Sequence, residues 1–298
     1  MVRTAGSSNI SNLVNIDQIS TTSSKEIKHL AESSEGTAIE RFRCLMKHQD
    51  NYLRWLETRH KELNEAKEEI ARLKGEKHRG PKNATYRKYK WYAEHSVLLE
   101  AINGFEVFYK SSLVNLAKAI RLYVPAENIG GAIDAKVLWG LSRASIPELV
   151  FEHHLYHDLD NIDKVCHALV NARRYNKKSP KPDERGLVNA LQAVFQIRHT
   201  LSHNHGVVTV NDRPKLKILG YEANVKEVID PSKNNLRKSV MKLLRQEAED
   251  FTDWLLGATA AYLQTQEANR GVELDAKVKR RINKLIGSHA DLDALNWV

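Results

Sequence analysis

Glycine and proline are too sparse in this chain for anything but long helices to dominate. Only 14 Gly and 7 Pro are spread over 298 residues. Turns and sheet corners rely on those two residues, so their scarcity predicts an all-α, or mainly α, fold rather than a many-stranded sheet. A hydrophobic fraction of 42% beside a charged fraction of 28% allows a real core under a polar surface. The helical period is plain from residue 37 onward. Ile39, Phe42, Met46, Leu53, Leu56, Leu63 and Ile70 follow a 3–4 spacing and draw one apolar stripe along a helix over residues 37–78. Gln49, His60 and Lys67 interrupt that stripe. Two readings fit it: the seam of an oligomerising coiled coil, or a long amphipathic helix packed on its own domain.

The rest of the chain divides around this helix. Residues 1–36 are rich in Ser and Thr and lack periodicity, which predicts a disordered tail. Residues 84–270 read as one helical domain, and residues 271–298 as a C-terminal helix and tail. Within the domain, residues 85–122 carry Val97, Leu98, Ile102, Phe105, Phe108 and Leu113 on a broad apolar face suited to a bundle. Residues 132–175 read as two or three helices with a break near Pro147, and KKSPKPDERG (177–186) as a polar loop. A further helix over 187–201 ends at Ser202-His203-Asn204-His205-Gly206. GVVTV (206–210) and KLKIL (215–219) have strand composition and suggest one small β-hairpin. Long and short helices over 234–267 and 274–286 follow.

Charge and cysteine usage narrow the function classes. Lys and Arg outnumber Asp and Glu by 46 to 37, a net +9 that suits a polyanionic partner. Cys44 and Cys166 form no CxxC pair, which argues against a disulfide scaffold and a thiolate zinc site. The first twenty residues lack the apolar stretch of a secretory signal, and no window holds the roughly 18 consecutive apolar residues of a membrane helix. A cytoplasmic protein with no membrane contact is expected. No GxxxxGK(S/T) loop and no GxSxG elbow occurs, so ATPase and α/β-hydrolase chemistry are set aside.

Two clusters carry binding or chemistry. ARLKGEKHRGPKNATYRKYK places Lys74, Lys77, Arg79, Lys82, Arg87, Lys88 and Lys90 among Tyr86, Tyr89, Trp91 and Tyr92. Cations hold phosphates while aromatics stack bases, so these lysines and arginines are candidate RNA contacts; a solvated helix face with inward aromatics is the alternative. FEHHLYHDLD places His153 and His157 one helical turn apart, a spacing that suits a shared metal, but HExxH is absent and a polar helix face is the favoured reading. No cofactor and no metal are expected.

IRHTLSHNHG (197–206) is the most informative segment. It resembles the signature of the HEPN superfamily: an Arg, a polar residue, a short spacer, then His. Arg198 and His203 give a four-residue spacer, His199 takes the polar place after the arginine, and Asn204, His205 and Gly206 end the helix. Arg43, Arg54 and Arg72 also precede a histidine at similar spacing, but only Arg198 ends a strongly apolar helix. The resemblance implies a HEPN-like helical bundle and a metal-independent endoribonuclease, similar to toxins and phage-defence effectors. It implies RNA as substrate, a homodimer with a composite active site, and a neutralising antitoxin or regulatory partner. The alternative is a non-catalytic HEPN-like adaptor that binds RNA or protein.

The residue types match the chemistry. Histidine, with an ordinary pKa of about 6.5, suits proton transfer to and from RNA oxygens. Arginine stays charged and forks onto two phosphate oxygens. His203 is the expected acid or base, Arg198 the clamp, with His199 and then His205 assisting. At about 100° per residue, positions five apart lie about 140° apart on a helix, so Arg198 and His203 cannot share a face of one straight helix. The helix must unwind at residues 202–206, or two protomers must pool their residues across a twofold axis.

Overall fold

Each long helix begins and ends where the local chemistry dictates. In the computed structural model, which describes residues 36–74, 83–129, 146–151 and 154–298, α1 spans Ala38–Lys74 and α2 spans Asn83–Ile120. The chain divides at Gly36, and the unit that follows, Thr37–Val298, holds all the elements below. Residues 1–35 of the expected tail lie outside the described residues. Thr37 starts α1 with a capping box: its N–H donates to Glu40 Oε2 (2.7 Å), and the Glu40 N–H donates to Thr37 Oγ1 (3.3 Å).

α1 and α2 pack antiparallel. Phe42 meets Phe105 and Phe108 with ring centroids 5.6 Å apart in each case, and further along His60 stacks on Tyr86 at 3.4 Å. Lys90 Nζ lies 2.8 Å from Glu57 Oε1 between these points. The first half of the α1 apolar stripe is therefore spent inside its own domain. Ile39, Phe42, Met46 and Leu53 are buried, whereas Leu63 is exposed.

The remaining helices are α3 (Ile146–Phe151), α4 (Leu159–Val170), α5 (Pro182–His203), α6 (Asp212–Ile218), α7 (Leu236–Arg270), α8 (Ala276–Leu285) and α9 (Ala290–Asp293). The fold is mainly all-α. α2 is its axis, packing against α1, α3, α4, α5, α7 and α8. That explains why, from Ala93 onward, its buried residues run round most of its circumference: the enclosed part of the helix keeps little wet face, while the first turns remain open to solvent. Phe105, Phe108, Tyr109 and Phe251 form the aromatic centre. Buried Glu247 on α7 takes a bidentate bond from Arg174 (2.8 and 3.0 Å) and one from the Tyr175 hydroxyl (2.6 Å). Asp163 on α4 accepts the N–H groups of Arg174 and Tyr175, so the segment after α4 is clamped to α7 by a satisfied polar network. At the C-terminus, Val298 N–H donates to Leu274 O (2.8 Å) and closes the chain back on the start of α8.

Two local expectations are corrected. The loop over 177–186 ends early, because Pro182 opens α5 with Asp183 and Glu184 in its first turn. Proline loses nothing at a helix start, where its missing N–H has no partner, and acids suit the positive end. The β-hairpin does not form: KLKIL lies in α6 and its cap, not in a strand. The buried Asp212 carboxylate accepts Thr209 N–H (2.7 Å) and Gln196 Nε2 (2.9 Å), and Leu216 turns inward, which nucleates a helix. The strand-like residues 206–208 pair instead with 226–229, through Val208 N–H to Glu227 O (2.8 Å) and Ile229 N–H to Gly206 O (2.9 Å). Val207 and Val228 form a single antiparallel bridge there.

Candidate functional site

α5 is held by its apolar face: Val188, Leu191, Val194, Ile197 and Leu201 are all buried. The helix runs unbroken through His203, and the Asn204 N–H still bonds back to Thr200 O at 3.1 Å. The chain then turns through two left-handed residues, His205 (φ 51°) and Gly206 (φ 79°), and the Gly206 N–H also reaches Thr200 O (2.9 Å). Unwinding does not swing His203 round toward Arg198. Beneath the turn sits His95, one helical turn after Trp91 and 5.2 Å from it between ring centroids. A Cβ on Gly206 would lie 3.5 Å from His95 Nε2 and 3.4 Å from Val228 Cγ1. Burial lowers the pKa of His95 below its ordinary value.

The motif residues fall into two groups. His199 and His203, four apart, share the outer face of α5 with ring centroids 4.8 Å apart, and both are exposed. His205 is exposed beyond them. Arg198 points the other way, toward α2. Its Nε donates to Asn103 Oδ1 at 3.3 Å and lies 3.3 Å from Glu106 Oε1. The second carboxylate oxygen of Glu106, Oε2, is 3.5 Å from His157 Nδ1. His157 comes from the turn that precedes α4. Arg198 keeps 28% of its side chain exposed and His157 keeps 39%, while Glu106 keeps 16%. Among the described residues, Glu106 Oε1 is buried without a hydrogen bond of good geometry, although the Arg198 guanidinium stands beside it. We read that contact as an ion pair rather than a directed bond.

The sequence reading missed Asn103 and Glu106. Glu106 carried one signal: a lone acid between Phe105 and the Val107-Phe108 pair, inside an apolar helix. His157 was weighed as a metal ligand, but its neighbour in the structure is Glu106; His153 lies outside the described residues. Among the described residues, no group of three or more His, Cys, Asp or Glu side chains is gathered as for a metal ion.

The basic run is only partly described. Lys77, Arg79 and Lys82 lie outside the described residues. Arg87 and Lys88 are exposed, as are Tyr89 and Tyr92, while the side chain of Lys74, the last residue of α1, lies outside what is described. Lys90 is engaged by Glu57, and that hydrogen bond raises its pKa. Tyr86 is half-buried against His60, and Trp91 is half-buried beside His95. A cleft of about 860 Å³ lined by Arg213, Lys217, Tyr221 and Lys233 lies beside α6 and includes none of the motif residues. Among the described residues, no helix is long and apolar enough to cross a membrane.

No protein-family model matches the chain, and neither a curated protein nor a solved structure matches it significantly.

Proposed function

We propose that this protein is a metal-independent endoribonuclease of HEPN type that cuts RNA by attack of its own 2′-hydroxyl, acting as a toxin or phage-defence effector in the cytoplasm. The observation that carries the reading is the end of α5. A half-exposed arginine is held in place by Asn103 and Glu106, and beyond it, over the last turn of the helix, stands an exposed His199–His203 pair. Arg198 supplies the phosphate clamp and His203 the proton transfer, worth about 10²–10⁴ in rate for one well-placed group. Because the two side chains leave α5 in different directions, a homodimer that sets one protomer's Arg198 against the other's His203 completes the site. Exposed Arg87, Lys88, Tyr89 and Tyr92 supply a surface on which RNA can lie. In the cell an antitoxin or regulatory partner restrains the activity, and the protein purified without that partner is active.

Induced expression of the wild type beside His203→Ala tests this. Growth arrest with new RNA fragments, both lost in a folded His203→Ala protein, is the expected result. RNA cleavage that survives in that variant removes His203 from the site. The second reading, a non-catalytic RNA-binding or protein-interaction adaptor, draws on the Arg198–Glu106 contact, which neutralises the clamp within one protomer. It is favoured if neither protein cleaves RNA while both still retain it on a filter.

A further inference from the structure

Within one protomer the group that stands next to the Arg198 cluster is His157, not His203. Glu106 joins the two: Oε1 lies 3.3 Å from Arg198 Nε, and Oε2 lies 3.5 Å from His157 Nδ1. Three separate elements meet here, α2 with Asn103 and Glu106, α5 with Arg198, and the turn before α4 with His157. Each has a reason to be where it is. Asn103 and Glu106 are three apart on α2 and so share the face turned to α5. Tyr156, the neighbour of His157, is buried and donates its hydroxyl to Phe151 O at 2.6 Å, which pins the turn and leaves His157 outward.

The arrangement has the parts of a proton-transfer centre. A carboxylate faces one ring nitrogen of an imidazole and can fix its tautomer and orientation, leaving the other nitrogen for substrate. A guanidinium within reach of the same carboxylate is placed to receive a phosphodiester. Separations of 3.3–3.5 Å are long for finished hydrogen bonds, as catalytic contacts often are before substrate tightens them. The orphaned Glu106 Oε1 marks a polar site whose hydrogen bonding is not complete.

We infer that His157 is the general base of the Arg198 site, with Glu106 as its positioning residue; the inference rests on the ribonuclease reading above. His157 Nε2 takes the proton from the 2′-hydroxyl as that oxygen attacks phosphorus. The O2′–P bond forms and the P–O5′ bond breaks. The departing 5′-oxygen takes its proton from His203 of a second protomer, leaving a 2′,3′-cyclic phosphate and a 5′-hydroxyl. The histidine after the spacer thus serves as the acid, and the base comes from a segment outside the Arg–His motif.

The test uses full-length protein, a fluorescent RNA oligonucleotide, and added imidazole. His157→Ala is expected to lose about 10²-fold or more in kcat with little change in RNA affinity. Millimolar imidazole is expected to restore part of that rate, because the side chain it replaces is partly open to solvent. Glu106→Gln is expected to lower kcat with KM unchanged, and imidazole does not restore it. Circular dichroism of each variant guards against misfolding, and His157→Gln repeats the measurement with a bulkier side chain. Retention of wild-type rate by both His157 variants overturns the inference and leaves the ribonuclease reading standing. A folded His157→Ala protein that is inert and deaf to imidazole makes the role structural and overturns it as well. Wild-type protein that cleaves no RNA overturns both readings together.

Discussion

Gly206 sits in a backbone conformation that side chains rarely adopt. Its φ of 79° costs an L residue about 1–2 kcal/mol, while a Cβ there would meet Val228, His95 and Leu201 only at ordinary van der Waals distance. Gly206→Ala is therefore expected to lower stability by about 1–2 kcal/mol through backbone strain alone, read from urea denaturation. His95, beneath the same turn, leads to a pH prediction. Its burial depresses the folded-state pKa below 6.5, and burial followed by the Lys164 charge does the same for His154. Below about pH 6.5 the unfolded chain thus binds more protons than the folded one. Their contribution to stability is complete above that pH and is lost as the pH falls through the lowered folded values. A His95→Gln variant is expected to show a shallower loss of stability on acidification than the wild type; an identical slope would remove His95 as a cause.

At the scale of the elements, α1 and α2 approach across a glycine. A Cβ on Gly104 would stand 2.1 Å from Leu45 Cδ2, the far end of a partly buried side chain. Gly104→Ala gains helix propensity of about 1 kcal/mol. The overlap is relieved when Leu45 turns its δ-methyl aside, at a cost near the low end of the about 1–3 kcal/mol that overpacking takes. The single variant is therefore expected to stay within about 1 kcal/mol of wild type, and a double-mutant cycle with Leu45→Ala measures the coupling. The same scale explains the strand that became a helix. Alternating K-L-K-I-L fits either period over five residues; the buried Asp212 and Gln196, sixteen apart in sequence, decide for helix. The start of α5 was legible in principle, since Pro182 followed by two acids is a helix opening.

For the whole molecule the prediction concerns assembly. If active sites pair Arg198 of one protomer with His203 of the other, each single variant is inactive alone, but a mixed dimer retains one intact site. Arg198→Ala and His203→Ala refolded together are then expected to recover about one quarter of wild-type cleavage, by random pairing of chains. Absence of recovery in a mixture shown to exchange subunits would place both residues in one protomer's site. Sedimentation of the wild type reports the dimer directly.

What the amino-acid sequence determined by itself was periodic and local. The long helices over 38–74, 83–120 and 236–270 were legible within a few residues from apolar spacing and punctuation, as was the apolar face of α5. The 140° offset between Arg198 and His203 also follows from helical geometry alone, and the unbroken α5 preserves it. What only the tertiary structure decided was which distant residues meet. Glu106 and Arg198 are far apart in sequence, and nothing in the spacing around either one names the other or His157. Side-chain periodicity tells which face of a helix is buried, but the partner across that face is set by how several helices share one core. For this reason Arg198 and the histidines after it were visible in the sequence, while the carboxylate that joins Arg198 to His157 emerged only from the packing of α5 and the α4 turn on α2.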